Sequence, residues 1–276
     1  MEKWIIRDVL EKAFKEDMPA GDITTDYIVP ENAHSRAYMI TKQEGVIAGI
    51  EVCIEAFKML DPDIKINTLV KDGDFVEAGT RILEIEGKSK ALLKAERTAL
   101  NLLQRLSGIA TITRLYVEKI IGYDTKVADT RKTTPGLRAL EKYAVRIGGG
   151  TNHRFSLSDC VLIKDNHIKA AGGIKKAVKA AREHVPHTAK IEVETETLEQ
   201  VREALESGAD IIMLDNMPLN IMKQAVEMIN HRAVTEASGN VTLDNIQEIA
   251  ATGVDIISIG ALTHSVKAMD ISMKFE

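Results

Sequence analysis

Cysteine, aromatic residues and long apolar runs are all scarce in this chain of 276 residues. Two cysteines, Cys53 and Cys160, cannot build a disulfide scaffold, and such sparse usage predicts a reducing compartment, the cytoplasm. No apolar run approaches the roughly 18 residues that span a bilayer. The charged N-terminal segment also lacks the continuous apolar centre of a signal peptide. We therefore expect a cytoplasmic protein that does not act in a membrane.

Positive charge is scarce as well, because the chain carries a net charge of −5. This balance argues against broad binding to nucleic acids or anionic membranes. The charge is unevenly distributed, however, since eight Lys or Arg residues stand against three acidic residues between Arg131 and Lys169. Such a segment indicates either a solvated charged face or a site for a small, highly charged anion.

The first ninety residues predict an α+β unit. An amphipathic helix opens the chain, with an apolar stripe formed by Ile5, Ile6, Val9, Leu10, Ala13 and Phe14. Asp-Gly and Ala-Gly turns between short apolar runs then predict antiparallel hairpins. A helical pattern follows from Ala91 to about Gly122, and Ser107-Gly108 predicts a break into two helices there. The domain boundary should fall in this stretch.

The remainder alternates short apolar runs with amphipathic helical segments. The runs begin near Val127, Val161, Ile191, Ile211, Val234 and Ile256, a spacing that suits one strand and one helix each. An open, doubly wound sheet stays possible, but no Gly-x-Gly-x-x-Gly motif follows the first run. The pattern therefore favours a β/α barrel.

Each apolar run ends in polar residues, and in such barrels the carboxyl ends of the strands carry the chemistry. The polar ends are Asp129, Arg131 and Lys132; Lys164, Asp165, Asn166 and His167; Glu192 and Glu194; Asp215 and Asn216; Glu236, Ser238, Gly239 and Asn240; and Gly260 and His264. Small residues after the last strands predict a phosphate seat. Lys164 suits either an anion clamp or a Schiff base, and His167 suits either catalysis or the orientation of its neighbours.

Several motifs in this order resemble those of the quinolinate phosphoribosyltransferase family. They are EDMPAGDITT, KAERTALNLLQRLSGIAT, DTRKTTPGLR, GGGTNHR, LIKDNH, IEVETET, MLDN, EASGN and SIGALTH. The resemblance runs from about Ile5 to the C-terminus. One departure lies in the early loop, where Pro19 and Ala20 precede Gly21. The family implies an open-faced α+β sandwich (1–105, to which 266–276 returns) and an incomplete β/α barrel (106–265).

The resemblance also implies roles for individual residues. A quinolinate pocket would be lined by Arg131, His153, Arg154 and Lys164, with Lys132 close to both substrates. Glu194 and Asp215 would face the ribose and Mg²⁺ and, with Lys132, form the catalytic set. Glu192 could share the barrel interior, although it fits the motif less well. The 5-phosphate seat would consist of Ser238, Gly239, Gly260 and His264.

The implied reaction transfers the phosphoribosyl group of phosphoribosyl pyrophosphate to quinolinate and releases CO₂, giving nicotinate mononucleotide for NAD biosynthesis. Mg²⁺ would accompany phosphoribosyl pyrophosphate, and no organic cofactor is needed. The family implies a homodimer, possibly assembled further, in which Arg97 is donated across the interface. The alternatives are a paralogue that uses another aromatic acid, a Schiff-base aldolase built on Lys164, and a catalytically silent phosphosugar-binding protein.

Overall fold

The computed structural model describes residues Met1 to Glu276, which divide into two compact units. The N-terminal unit comprises Met1–Arg114, Thr133–Gly149 and Leu262–Glu276. The barrel unit comprises Leu115–Lys132 and Gly150–Ala261. This division lies nine residues after the expected boundary at 105/106. The segment Thr133–Gly149, expected in the barrel, groups with the N-terminal unit because its helix packs there.

Helices and antiparallel strands alternate in the N-terminal unit. Its elements are α1 (Lys3–Asp17), α2 (Ile23–Ile28), β1 (His34–Thr41), β2 (Gly45–Val46), α3 (Ile50–Leu60), β3 (Lys65–Thr68), β4 (Phe75–Val76), β5 (Arg81–Lys88) and α4 (Ser89–Lys119). The apolar stripe of α1 is buried at Ile6, Leu10 and Phe14, as its spacing predicts. Asp22 begins α2 by accepting the amide hydrogens of Thr24 and Thr25, so the Pro19-Ala20 variation leaves that helix cap in place.

Four strands form the main sheet of this unit, in the order β12 (Ile271–Phe275), β1, β5 and β3. The last strand, β12, pairs antiparallel with β1, so the end of the chain completes this sheet. The expected return of the C-terminal segment is therefore present as a strand pairing. Strands β2 and β4 form a separate two-stranded ladder.

The long helix α4 contradicts the prediction of a break at Ser107-Gly108, because it runs without interruption for 31 residues. A Cβ atom at Gly108 would stand 2.2 Å from the carbonyl oxygen of Lys267. The Ser107 hydroxyl lies 3.1 Å from the amide nitrogen of Ala48, which it caps. Both small residues are thus required by close packing on the face of a continuous helix, and neither ends it.

A buried ion pair holds three segments of the N-terminal unit together. Arg105 on α4 contacts the fully buried carboxylate of Glu141, with 2.8 Å between Nε and Oε1. Glu141 lies on α5 (Arg138–Ile147) and also accepts the amide hydrogen of Thr134. Arg105 further donates to the carbonyl of Thr263 at 3.1 Å. The loop that follows Lys132 in the chain and the residue before His264 are therefore fixed by one guanidinium group.

Strands and helices alternate in the barrel unit. The elements are β6 (Lys126–Ala128), β7 (Val161–Ile163), α6 (Asp165–Ala171), α7 (Ile174–His184), β8 (Ile191–Thr195), α8 (Leu198–Glu206), β9 (Ile211–Asp215), α9 (Leu219–Ile229), β10 (Val234–Ser238), α10 (Ile246–Ala250) and β11 (Ile256–Ser258), followed by α11 (Ala261–His264). Five of the six strands begin at the predicted residue, and β6 begins one residue earlier. Apolar runs of this length and spacing therefore identified every strand.

The six strands form one parallel sheet in the order β6-β11-β10-β9-β8-β7. Thr151 bridges to Ala128 and extends the β6 edge, but the two ends of the sheet do not pair with each other. The predicted incomplete β/α barrel is confirmed. No helix of the chain combines the length and apolar character needed to cross a membrane.

Candidate active site

Strand register brings the acidic residues of the barrel unit onto one face of the sheet. Glu194 pairs with Met213, and Asp215 lies two residues beyond Met213 on the same strand. Ser238 pairs directly with Asp215. Because side chains alternate along a strand, Glu194, Asp215 and Ser238 all lie on the inner face, near the carboxyl ends. Val193, Ile212 and Leu214 on the other face are buried.

Lys164 lies next to this acidic group. It follows β7 directly, and its Nζ is 3.0 Å from Oε2 of Glu194. The amide of Lys164 donates to Nδ1 of His167 at 3.0 Å, so the histidine orients the start of α6, one of its two expected uses. The Lys164 side chain is half exposed and paired. A Schiff-base lysine is desolvated or placed next to another cation, so this arrangement suits an anion clamp better.

Three residues with positive φ lie where β9 and β10 end. Gly239 has φ +94°, and Asn216 and Asn240 also have positive φ values, of 52° and 51°. A Cβ atom at Gly239 would stand 2.1 Å from Oδ1 of Asn216, so only glycine fits. Asn216 in turn donates to Asp215 at 2.8 Å and accepts from Asn240 at 2.9 Å. This amide network fixes the Asp215 carboxylate and keeps the loop after Ser238 close to it.

A histidine and two carboxylates are buried together on the same inner face. The Nε2 atom of His153 is 3.1 Å from Glu192 and 3.4 Å from Glu236. The side chains of the two glutamates are 0% and 2% exposed. Glu192 lies two residues before Glu194 on β8, and Glu236 lies two residues before Ser238 on β10. Ligand atoms of the three residues lie within 4.8 Å of one another.

Burial and ion pairing act in opposite directions on the pKa of His153. Burial by itself lowers that pKa, but the contacts with Glu192 and Glu236 outweigh burial and raise it. Burial is also the main reason that the pKa of Glu192 is raised. Because the groups interact directly, a proton taken up here is shared by the cluster rather than held by either residue alone.

The basic loops of the barrel unit are held by their own backbone contacts. Asp129 is fully buried and accepts the amide hydrogen of His153 at 2.9 Å and the side chain of Asn152 at 2.5 Å. Arg154 donates to the carbonyl of Cys160 at 3.1 Å. Lys132 is exposed, and its amide donates to the hydroxyl of Thr130 at 3.1 Å. Positive side chains thus extend from a rigid base.

Most of the predicted site residues belong to the barrel unit, and two belong to the N-terminal unit. Arg97 is exposed on α4, and His264 is exposed with its Nδ1 2.7 Å from the hydroxyl of Ser265. Glu236 and Asp129 lie among the predicted polar strand ends, but neither the sequence pattern nor the resemblance implies a role for them. A glutamate inside a buried strand was the available signal for Glu236, since such a charge needs a partner.

Family models match nearly the whole chain. The N-terminal domain of quinolinate phosphoribosyl transferase matches residues 22–107, and the C-terminal domain matches residues 109–274. The chain belongs to the quinolinate phosphoribosyltransferase family. That assignment agrees with the motifs of the sequence and with the acidic and basic strand ends of the barrel unit.

Individual members of the family are closely similar over almost their full length. A Bacillus subtilis protein named probable nicotinate-nucleotide pyrophosphorylase (carboxylating) is 48% identical, covering 97% of this chain and 92% of its own. A Methanocaldococcus jannaschii protein of the same name is 47% identical, covering 96% and 95%. The crystal structure of NadC from Streptococcus pyogenes superposes with a TM-score of 0.95 at 44% identity, covering 99% and 97%.

Proposed function

We propose that this chain transfers the phosphoribosyl group of phosphoribosyl pyrophosphate to quinolinate, with loss of CO₂, to give nicotinate mononucleotide and pyrophosphate. The observation that carries this proposal is the meeting of Lys164 with Glu194 beside Asp215, at the carboxyl ends of adjacent strands. Cations there suit the carboxylates of quinolinate, and anions suit the ribose. The product serves NAD biosynthesis.

Binding of quinolinate is assigned to the basic side chains. Arg131, Arg154 and Lys164 bind the two carboxylates, with His153 beside them. An arginine fork matches a carboxylate with two parallel hydrogen bonds, whereas a lysine acts as a point charge. Lys132 lies on the exposed loop after β6 and contacts both substrates in this proposal. Together these residues orient the pyridine nitrogen toward C1 of the ribose.

Phosphoribosyl pyrophosphate is assigned to the small and acidic residues. Ser238, Gly239 and Gly260 seat the 5-phosphate, and His264 contributes to the seat. Glu194 and Asp215 accept hydrogen bonds from the ribose hydroxyl groups. They also stabilise the positive charge that develops on the ribose. Their carboxylate oxygens are also the ligands that Mg²⁺ prefers, so Glu194 and Asp215 would hold an ion that arrives with this substrate, and the ion would neutralise charge on the pyrophosphate. No organic cofactor takes part, because the positive pyridinium nitrogen stabilises the electron pair left on the adjacent ring carbon as CO₂ leaves, and that carbon then takes up a proton.

A homodimer completes the proposal. Arg97 is exposed on α4, and we assign it to the quinolinate pocket of a neighbouring subunit, where it would add a further cation. The enzyme is assigned to the cytoplasm, in keeping with its two free cysteines. Neither a nucleic acid nor a membrane is a partner in this proposal.

Product analysis tests the proposed reaction. Purified protein is mixed with phosphoribosyl pyrophosphate and Mg²⁺, with quinolinate in one tube and nicotinate in the other. Nicotinate mononucleotide and CO₂ are measured in both tubes. We expect both products from quinolinate alone, since the second carboxylate is the group that is lost. A folded protein that yields no product in either tube would move the substrate to another aromatic acid.

Two substitutions test the site. We expect Arg131→Ala and Lys132→Ala each to reduce kcat/KM by at least about 100-fold, because each removes a cation from a site that holds two polyanions. Circular dichroism and thermal melting check that both variants fold. Full activity in either folded variant contradicts the assignment of that residue.

A further inference from the structure

Both ring nitrogens of His153 are already engaged within the barrel unit. Nδ1 accepts the amide hydrogen of Arg154 at 2.8 Å. Nε2 faces Glu192 at 3.1 Å and Glu236 at 3.4 Å. The ring is 12% exposed, so little of it is open to solvent. The His153 ring therefore lies between two buried carboxylates on one side and the backbone of Arg154 on the other.

The hydrogen bond from the Arg154 amide to Nδ1 fixes the tautomer of the ring. An imidazole nitrogen that accepts a hydrogen bond carries no proton, so the ring proton lies on Nε2 and points at the two carboxylates. A metal ion bound to Nε2 by the same three side chains would require the ring proton on Nδ1, where the amide hydrogen of Arg154 already lies. The geometry consequently favours a hydrogen-bonded cluster over a cation site.

Two further contacts hold the same stretch of backbone. The amide of His153 donates to Oδ1 of Asp129 at 2.9 Å, and Thr151 bridges to Ala128 at the edge of the sheet. Beyond the histidine, the guanidinium group of Arg154 donates to the carbonyl of Cys160. Buried acidic side chains thus fix the position of the backbone from which the Arg154 side chain extends.

Filling a barrel interior with such a cluster costs more free energy than filling it with apolar residues. Two carboxylates around one imidazole are desolvated, and apolar residues of the same volume would pack there at a lower cost. Glu192 and Glu236 come from β8 and β10, which are separated by β9, so the ring also joins strands that do not pair with each other. Such an arrangement is expected where the position of a side chain matters more than stability.

We propose that Glu192 and Glu236 are positioning residues for quinolinate binding, and that they act through the His153 ring on the backbone of Arg154. The inference rests on the proposed function, because it takes quinolinate as the ligand of Arg154. The two glutamates touch neither substrate. They fix the tautomer and the orientation of the ring, and the ring fixes the amide from which the arginine extends.

Glu192→Gln and Glu236→Gln test the proposal, since each keeps the shape and one acceptor oxygen but removes a charge. We expect each variant to raise the KM for quinolinate about 10-fold and to change the KM for phosphoribosyl pyrophosphate less than about 2-fold. Equal changes in both constants, or none in either, would overturn the proposal. A double-mutant cycle with His153→Asn should show that the effects of Glu192→Gln and His153→Asn are not additive.

A spectroscopic measurement keeps the proposal testable even if a variant fails to fold. Nitrogen chemical shifts of the His153 ring in the wild-type protein distinguish a protonated from an unprotonated nitrogen. We expect an unprotonated Nδ1 and a protonated Nε2. The opposite tautomer, or a stoichiometric divalent metal in elemental analysis of the purified protein, would overturn the proposal and assign a cation site instead.

Asp210→Asn is the matched control, because it removes a carboxylate from the same sheet but from the amino end of its strands. Asp210 accepts the amide hydrogen of Ile191 and contacts Arg182, outside the proposed site. This variant should lower stability and leave both KM values unchanged. Wild-type protein without product would defeat the proposed function itself, whereas active wild type with an unchanged quinolinate KM in both glutamine variants would defeat this inference alone.

Discussion

Certain positions in the barrel unit require one residue type because of long-range contacts. No local sequence pattern shows these contacts. Gly239 is the clearest example, because a positive φ and the nearby Asn216 amide both demand glycine at that position. Asp210 is another, because it directly precedes β9 and its carboxylate accepts the amide hydrogen of Ile191 at the beginning of the neighbouring strand β8. Glycine or aspartate next to an apolar run predicts a turn. The partner that makes the residue necessary, however, lies elsewhere in the chain.

Gly239→Ala should lose both stability and activity. The new Cβ would stand 2.1 Å from Asn216, which must move and release its bond to Asp215. We expect a loss of roughly 2 kcal/mol in the free energy of unfolding and a larger rise in the KM for phosphoribosyl pyrophosphate than in that for quinolinate. Gly208→Ala is the control: its φ is +80° and nothing lies within 4 Å, so only backbone strain of about 1 kcal/mol is added.

Asp210→Asn should change how stability depends on pH. Burial alone raises the pKa of Asp210, but the amide of Ile191 and the guanidinium of Arg182 outweigh burial and hold the pKa below its usual range. The carboxylate therefore contributes stability above the unfolded pKa of about 3.9 and loses it as the pH falls through the lower folded value.

Chemical unfolding at a series of pH values measures this effect. We expect Asp210→Asn to cost about 1 kcal/mol at pH 7, a modest value because the side chain is partly exposed and its ion pair is screened. The difference from the wild-type protein should shrink below about pH 4. Glu183→Gln, at an exposed pair with Lys179, serves as the control and should show no such difference. A pH-independent loss in Asp210→Asn would contradict the explanation.

At the scale of elements, α4 shows how a local signal misleads. A Ser-Gly pair inside a helical pattern ordinarily marks a break, yet the helix continues through it because tertiary packing requires two small side chains. The strands of the barrel unit behave in the opposite way. Their apolar runs are short and consist mostly of consecutive buried residues, so the sequence pattern and the packing agree.

Gly108→Ala tests the explanation for α4. Alanine is the better helix former by about 1 kcal/mol, so a purely local account predicts stabilisation. Because the new methyl group would meet the Lys267 carbonyl at 2.2 Å, we expect the variant to be destabilised by about 2 kcal/mol instead. Asn101→Ala on an exposed position of α4 should stabilise by about 0.5 kcal/mol, and thermal melting compares the two.

At the scale of the whole molecule, the proposed dimer makes a quantitative prediction. If Arg97 serves the site of the neighbouring subunit, Arg97→Ala and Lys132→Ala remove different parts of the same site from different chains. Each variant alone should be inactive. In a mixed dimer one site carries both substitutions and the other carries neither, so random mixing should restore about a quarter of wild-type activity.

Refolding an equimolar mixture of the two variants measures this recovery, with each variant refolded alone as the control. Activity that stays at the level of the separate variants contradicts donation of Arg97 across an interface, provided that size-exclusion chromatography shows dimers. A monomeric active protein would contradict the dimer itself.

Local patterns in the sequence predict the strands of the barrel unit and the family. The apolar runs located the strands of the barrel unit, and the polar residues that end them predicted Glu194, Asp215 and Ser238 at the carboxyl ends. Periodicity of this kind is local, so it can be read along the chain. The linear motifs likewise identify the family, because they consist of consecutive residues.

Which charged side chains pair with each other depends on the tertiary structure. The pairing of Lys164 with Glu194, the burial of Glu141 against Arg105, and the enclosure of His153 by Glu192 and Glu236 each join residues at least 30 positions apart. Such partners depend on strand order, helix packing and desolvation, which no stretch of residues encodes alone. The chain's local patterns thus fixed its elements, whereas long-range packing fixed the electrostatics on which the proposed chemistry depends.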